Sequence, residues 1–283
     1  MRTIKLVLAY DGSAYAGWQF QPGQPTLQAA LERTLEKITG ETIRVVASGR
    51  TDAGVHALGQ VVSFHTASRL PADVLARALN AELPRDMAAL SASDAPPGFN
   101  ARQGACRKRY RYVLHDGPLS NVFERGYAWH CHSRLDVPAM QRAARPLLGR
   151  HDFASFETSG SPRETTVRTV FALDVSRDVS PDDAGGGEKG SEISDGGDRV
   201  RVEIEADGFL YNMVRSIVGT LVEVGRGAKP ETFAGEAMAA ADRRRAGPKA
   251  PAHGLFLLRV EYPPEQETDE CRSSNVEGMT KLE

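Results

Sequence analysis

Apolar residues in this chain recur with two periods, and the switches between them mark out the elements. Residues 3–9, Thr-Ile-Lys-Leu-Val-Leu-Ala, read as a strand, and the Asp11-Gly12 pair beyond them is a turn signal. Leu27, Leu31, Leu35 and Ile38 fall on one helical stripe, with Thr26 as N-cap and Gly40 as stop. Residues 43–46 and 60–65 read as strands. Pro71 opens a second helix with Val74, Leu75, Ala78 and Leu79 inward, ending before Pro84, and residues 87–92 return to strand. Residues 93–107 connect to the second half.

That half repeats the plan. Residues 109–115 form a strand ending in Asp116-Gly117, an echo of Asp11-Gly12 after the first strand. Strands follow at 127–130, 167–175, 199–206 and 255–262, and helices at 137–148, 209–224 and 231–241. The mixture predicts an α+β protein with sheet on one side and helices packed on the other. At 283 residues the chain exceeds the usual single-domain size, so two related α/β subdomains are expected, 1–106 and 107–262, the first holding the loop described below.

Charge changes the picture once it is divided along the chain. The formal net charge is −2, but residues 178–199 hold seven acids against two bases and residues 263–283 six against two. Without these two segments the rest stands at +7, the balance of a polyanion binder. Both acidic segments are poor in large apolar residues and are expected to be disordered, one an insert and the other a tail. No apolar run approaches a membrane span, and the N-terminus lacks an apolar core and cleavage site, so the chain is expected in the cytoplasm. Cys106, Cys131 and Cys271 show no CxxC spacing and are expected as reduced thiols. His130-Cys131-His132 alternates on a strand and cannot easily share one ion, while His56 and His65 lack a carboxylate third ligand, so no metal site is expected.

The stretch that carries chemistry is Ala47 to Phe64, ASGRTDAGVHALGQVVSF, a loop between two strands. Gly49 and Gly54 bracket Arg50 and Asp52, and glycine opens backbone conformations closed to other residues. An Arg and an Asp two apart in such a turn commonly do no more than satisfy backbone groups. The full run GRTDAGVHA resembles the signature of the pseudouridine synthases, and specifically of the tRNA pseudouridine synthase A family. Lys108-Arg109-Tyr110-Arg111-Tyr112, Gly208-Phe209-Leu210-Tyr211-Asn212-Met213-Val214-Arg215 and Ala250-Pro251-Ala252-His253-Gly254-Leu255-Phe256-Leu257 are similar to its other motifs, in order, over residues 3–262.

The resemblance implies the pseudouridine synthase fold, two subdomains sharing a continuous, mainly antiparallel sheet with the active cleft between them. It implies tRNA as substrate, at uridines about positions 38, 39 and 40 of the anticodon stem-loop, a homodimer and no cofactor. It places the nucleophile at Asp52, the base-stacking tyrosine at Tyr110, an arginine paired with the aspartate at Arg215, and an apolar pocket wall at Leu255 or Leu257. Arg50 is a candidate for guiding RNA and for keeping Asp52 ionised, since a nearby guanidinium favours a carboxylate's charged form.

Uridine isomerisation moves the ribose bond from base nitrogen to base carbon and spends no redox equivalent. A carboxylate suffices as nucleophile, and the base must first leave the stack. Whether Asp52 attacks sugar or base, or removes a sugar proton, stays open. Arg107, Lys108, Arg243 and Arg244 are candidate phosphate contacts, although such runs are also ordinary solvated faces. Arg215 on an apolar helix also reads as a snorkelling residue, and one of Tyr110 and Tyr112 as core. Tyr15, Trp18 and Phe20, in a loop rich in Gly and Gln, either stack on bases or lid the core.

Two other readings are weaker. A non-catalytic RNA-binding module needs aromatic strand motifs that the sequence lacks. A glycosidase needs a second carboxylate, and the loop offers Asp52 alone before Asp73.

Overall fold

The computed structural model describes residues 1–158, 165–178 and 198–264. Residues 179–197 of the acidic insert and 265–283 of the tail, with Cys271, lie outside the described residues. The architecture is α+β. Two compact units form, one from Met1–Lys108 with the strand residues that follow Phe256, the other from Arg109–Phe256.

The first unit holds β1 (Arg2–Tyr10), α1 (Leu27–Thr39), β2 (Val46–Ala47), β3 (His56–Thr66), α2 (Ala72–Glu82), β4 (Met87–Asp94) and most of β10 (Leu255–Glu261). Its strand order is β4-β1-β3-β10, with β2 on β3. β1 pairs antiparallel with both β3 and β4. Period-two alternation puts Ile4, Leu6, Leu8 and Tyr10 of β1 on one buried face. On the opposite face Lys5 lies 4.9 Å from the Tyr262 ring centroid, and Val7 packs on the cluster of Val61, Phe99, Ala101 and Tyr262. α1 begins at the expected cap, with Thr26 Oγ1 accepting from Ala29 N–H, and ends at Gly40 in the left-handed region (φ 72°).

The second unit holds β5 (Arg107–His115, from Arg109 on), β6 (Trp129–His130), α3 (Val137–Ala144), β7 (Gly149–Asp152), β8 (Val167–Arg177), β9 (Arg199–Ala206), α4 (Met213–Gly225) and α5 (Phe233–Ala240). Its strand order is β5-β9-β8-β7, with β6 parallel to β5. Leu173, Val175, Val202 and Ile204 fill the β8–β9 part of its core, and Ile217, Val218 and Leu221 the α4 side. Among the described residues no helix is long and apolar enough to cross a membrane.

Several elements depart from the periodicity. Residues 43–45 are not strand, because Val45 N–H donates to the buried Glu32 carboxylate on α1 (3.1 Å). β3 begins at His56, inside the signature run, rather than at residue 60. In α2 only Leu75 and Leu79 are buried, while Val74 and Ala78 are half-exposed. α3 gives way to a 3-10 turn at Arg145–Leu147, where Pro146 has no N–H to continue the helix. α4 starts four residues later than expected, at Met213, because Asn212 takes a left-handed conformation (φ 61°). β7 carries no apolar alternation and was not foreseen. The final strand's last residues join the first unit instead of closing the second; Gly59 lies so close to them that a Cβ there would sit 2.4 Å from the Leu258 carbonyl oxygen.

Candidate active site

Asp52 lies half-buried in the loop that leaves β2 at Ala47 and enters β3 at His56, with Arg50 exposed beside it. Backbone bonds tie this loop to its surroundings. Ser48 N–H donates to Val61 O at 2.8 Å, Trp18 N–H to Thr51 O at 3.0 Å, and Val55 N–H to Asp52 O at 3.1 Å. Close backbone approach adds to the fixation. A Cβ on Gly12, just beyond β1, would stand 2.1 Å from Val55 O, and one on Gly17 (φ 95°) 2.8 Å from Thr51 O.

Beneath the loop runs a polar network closed off from solvent. Tyr10, Ser48, Thr51 and Gln60 are all buried. The Tyr10 hydroxyl lies 2.8 Å from Thr51 Oγ1, and Gln60 Nε2 donates to Gly49 O at 2.9 Å and to Tyr10 Oη at 3.3 Å. Ser48 Oγ donates to Gln60 Oε1 at 2.6 Å. Burial pushes the Tyr10 phenol up to about 12 against the opposing pull of its bonds to Thr51 and Gln60. It therefore serves the loop as a neutral hydrogen-bonding group.

The two bracketing glycines have different reasons. Gly54 sits at φ 76°, which is the conformational freedom anticipated for it. Gly49 is not left-handed; a Cβ there would lie 3.0 Å from Lys108 Nζ. Lys108, expected as a phosphate contact, reaches the loop and donates to Ser48 O at 2.6 Å. Trp18 is buried with its ring 6.0 Å from that of Tyr10, Tyr15 donates to Asp86 at 2.6 Å, and Phe20 is exposed.

In the second unit Tyr110 and Tyr112 are both buried, against the expectation that only one faces the core. Residues two apart on a strand share a face, so Arg111 between them is the one that points away. The Tyr110 ring meets the edge of Phe209 at 5.0 Å and 84°. Tyr112 donates to Pro251 O at 2.8 Å, and burial raises its phenol far above the ordinary value. Arg215 is half-buried rather than a snorkelling surface residue. Its Nε donates to Ala250 O at 2.8 Å, its NH1 to Asn212 Oδ1 at 2.9 Å, and Ala250 N–H returns a bond to Arg215 O at 3.0 Å. Leu255 and Leu257 are both buried in β10.

Of the basic residues, Arg109 and Arg111 both pair with Glu203. Burial would raise the Glu203 carboxyl, but the hydrogen bonds and charge of those arginines hold it below the usual range. Arg244 pairs with Asp242 at 2.8 Å and Arg243 NH1 donates to Gly247 O at 2.9 Å. Both also line an open groove of about 690 Å³ with Glu157, Thr158 and Lys249. Arg107 is exposed. The structure thus gathers Arg50, Asp52 and Lys108 around one loop of the first unit, with Leu257 on its last strand. Tyr110, Arg215, Leu255, Arg243 and Arg244 belong to the second unit.

Sequence reasoning missed Tyr10, Ser48 and Gln60 as parts of this site. A buried glutamine in an apolar strand, GQVVSF, was the available signal. Cys106 and Cys131 carry reduced thiols, and burial pushes that of Cys131 up to about 11. No group of three or more His, Cys, Asp or Glu arranged to hold a metal occurs among the described residues.

The sequence profile of the family described as tRNA pseudouridine synthase matches residues 6–102 and 143–263. Proteins named tRNA pseudouridine synthase A are similar over nearly the whole chain. That of Moorella thermoacetica is 47% identical over 93% of this chain and 100% of its own. That of Geobacter sulfurreducens is 44% identical with the same coverage. Among solved structures, an archaeal box H/ACA sRNP Nop10–Cbf5 complex overlaps 93% of this chain and 50% of that one at 11% identity and a TM-score of 0.35, too distant to carry an argument.

Proposed function

The chain belongs to the tRNA pseudouridine synthase family, and from that premise we propose that it isomerises uridine to pseudouridine at about positions 38, 39 and 40 of the tRNA anticodon stem-loop, flipping each base out of the stack. In the product the bond between ribose C1′ and base N1 is replaced by one to C5, the C5 proton leaves and N1 gains a proton. Nothing is oxidised or reduced, so the reading requires no cofactor. Asp52 is the nucleophile. The observation that carries this is the seating of GRTDAGVHA, with Asp52 half-buried on a loop fixed on both flanks by backbone bonds and by glycine contacts too close for any side chain. Such seating holds a reacting group in one posture, which is what covalent catalysis by a weak nucleophile requires.

The other roles follow the family's motifs. Tyr110, already braced edge-on by Phe209, stacks on the target base. Arg215 and Arg50 favour the ionised form of the catalytic carboxylate, and Leu255 or Leu257 walls the pocket. Arg107, Lys108, Arg243 and Arg244 meet RNA phosphates. The enzyme works in the cytoplasm as a homodimer.

The test is an unmodified tRNA transcript tritiated at uridine C5, whose label is released on turnover. Asp52→Asn keeps size and hydrogen bonding but loses the charge. It abolishes release while tRNA affinity stays within about tenfold, a shift of about 1.4 kcal/mol. Pseudouridine formed by this variant would overturn the assignment of Asp52. Arg50→Ala lowers the single-turnover rate more than affinity. Arg243→Ala does the reverse and flattens the salt dependence of binding by roughly one unit for each phosphate no longer neutralised.

A further inference from the structure

We propose that Gln60 is a positioning residue for the reaction at Asp52, its buried carboxamide setting where the loop presents the aspartate. The inference rests on the reading of Asp52 as nucleophile. Gln60 is opposite Leu8 in the β1–β3 register and has no solvent exposure. Its amide bonds two of the four residues that precede Asp52, and through Tyr10 it reaches a third. Nε2 donates directly to Gly49 O (2.9 Å), Oε1 accepts from Ser48 Oγ (2.6 Å), and Tyr10, which accepts from Nε2 at 3.3 Å, carries the link to Thr51 Oγ1 (2.8 Å).

The chemistry of the position fits only an amide of this length. It needs one acceptor and two N–H donors at the tip of a side chain rising from the strand. Glutamate loses the donors, methionine loses every polar atom, and asparagine is one methylene short. Inside the protein such a bond chain is stiff, and a member left unpaired is expensive, so the loop has one favoured posture. Gln60 is sealed from solvent and so touches no RNA itself. A defect here therefore appears in the chemical step and not in binding.

The experiment compares Gln60→Met, Gln60→Glu and Tyr10→Phe with the unaltered chain by single turnover at saturating enzyme, by tRNA affinity and by thermal melting. The substrate is a transcript tritiated at uridine C5. Gln60→Met is expected to slow single turnover by roughly 10- to 100-fold, the effect of a small misplacement of a reacting group, with affinity within about threefold. In Gln60→Glu a protonated carboxyl regains an O–H for Gly49 O. Its rate relative to the unaltered chain is therefore expected to rise as pH falls from about 8.5 to about 6, because burial raises a carboxyl's pKa into that range.

A folded Gln60→Met with the unaltered single-turnover rate, or one whose loss lies wholly in affinity, overturns the proposal. So does a rate ratio for Gln60→Glu that stays flat with pH. If Gln60→Met does not fold, Tyr10→Phe decides, since it removes one hydroxyl of the same network. It is expected to slow single turnover several-fold at unchanged affinity, and an unchanged rate refutes the role. Asp52→Asn in parallel separates the two claims. Activity in that variant defeats the reading of the loop, whereas an inactive Asp52→Asn beside a fully active Gln60→Met defeats the positioning role alone.

Discussion

An Asp-Gly pair follows β1 in the first unit, and another follows β5 in the second. In the first, Gly12 packs its backbone against Val55 beside the Asp52 loop, and its N–H donates to His56 Nδ1 at 3.1 Å. The Asp11 carboxylate accepts from Ser13 N–H at 2.9 Å. In the second, Asp116 is fully buried and gathers charge: both its oxygens accept from Arg177 at 2.7 Å, and Oδ2 also accepts from Leu135 N–H at 2.8 Å. Arg134 bridges from there to Asp198 at 2.7 Å. Burial would raise the Asp116 carboxyl, but the Arg177 and Leu135 bonds and the nearby guanidinium charges hold it below its ordinary value. The first pair supports the Asp52 loop by close backbone approach and by Asp11, whose Oδ1 lies 3.1 Å from His56 Nδ1; the second gathers two arginines and ties β5 to β8 and to the segment entering α3. The same dipeptide thus ends a strand in each unit, and the residues it meets decide its work.

The largest effect that would sharpen this contrast is on stability. Asp116→Asn leaves the Arg177 guanidinium without its buried partner and is expected to destabilise the protein by about 3 kcal/mol, read by urea denaturation. Single turnover of the folded fraction should be unchanged. The acid limb gives the same answer with the sign fixed in advance. A carboxyl whose folded pKa is depressed contributes its full stabilisation above the unfolded value, about pH 4, and loses it as pH falls through the folded one. Melting temperatures from pH 7 to pH 3 should therefore drop below about pH 4, and Asp116→Asn should soften that drop.

Gly12→Ala comes next. Its new methyl would meet a backbone oxygen 2.1 Å away, and relief requires the loop to move. Single turnover should fall about a hundredfold, equivalent to about 2.7 kcal/mol of barrier. A rate near that of the unaltered chain would break the comparison, because the close approach would then be dispensable. Gly117→Ala has the smallest expected effect. The nearest atom to its methyl, at 2.3 Å, is Oδ2 of Asp198, the end of a side chain that can swing outward. Stability should change by less than about 1 kcal/mol and the rate not at all.

Much of this was legible in the residues alone. Thr26, the Leu27-Leu31-Leu35 stripe and Gly40 define α1 to the residue, because caps and periodicity act over a few positions. The run around Asp52 pointed to the family before any fold was known. At residues 43–45 the sequence misled because a distant partner intervened. Glu32 takes the N–H that residues 43–45 would have given a strand. Lys108, expected at a phosphate, also clamps Ser48, and Gly49 is small to admit it.

The support of the loop could not be read at all without the tertiary structure. Tyr10 and Gln60, Tyr10 and Thr51, and Gly12 and Val55 come together because β1 and β3 pair in one register, with Leu8 opposite Gln60 and Tyr10 opposite Ala57, and Gln60 meets Gly49 because β2 pairs with β3. A shift of one residue would turn Gln60 to the other face of the sheet. The chain by itself determined most of its elements and the loop that holds Asp52, since those depend on near neighbours. Register and packing across the sheet decided how that residue is held.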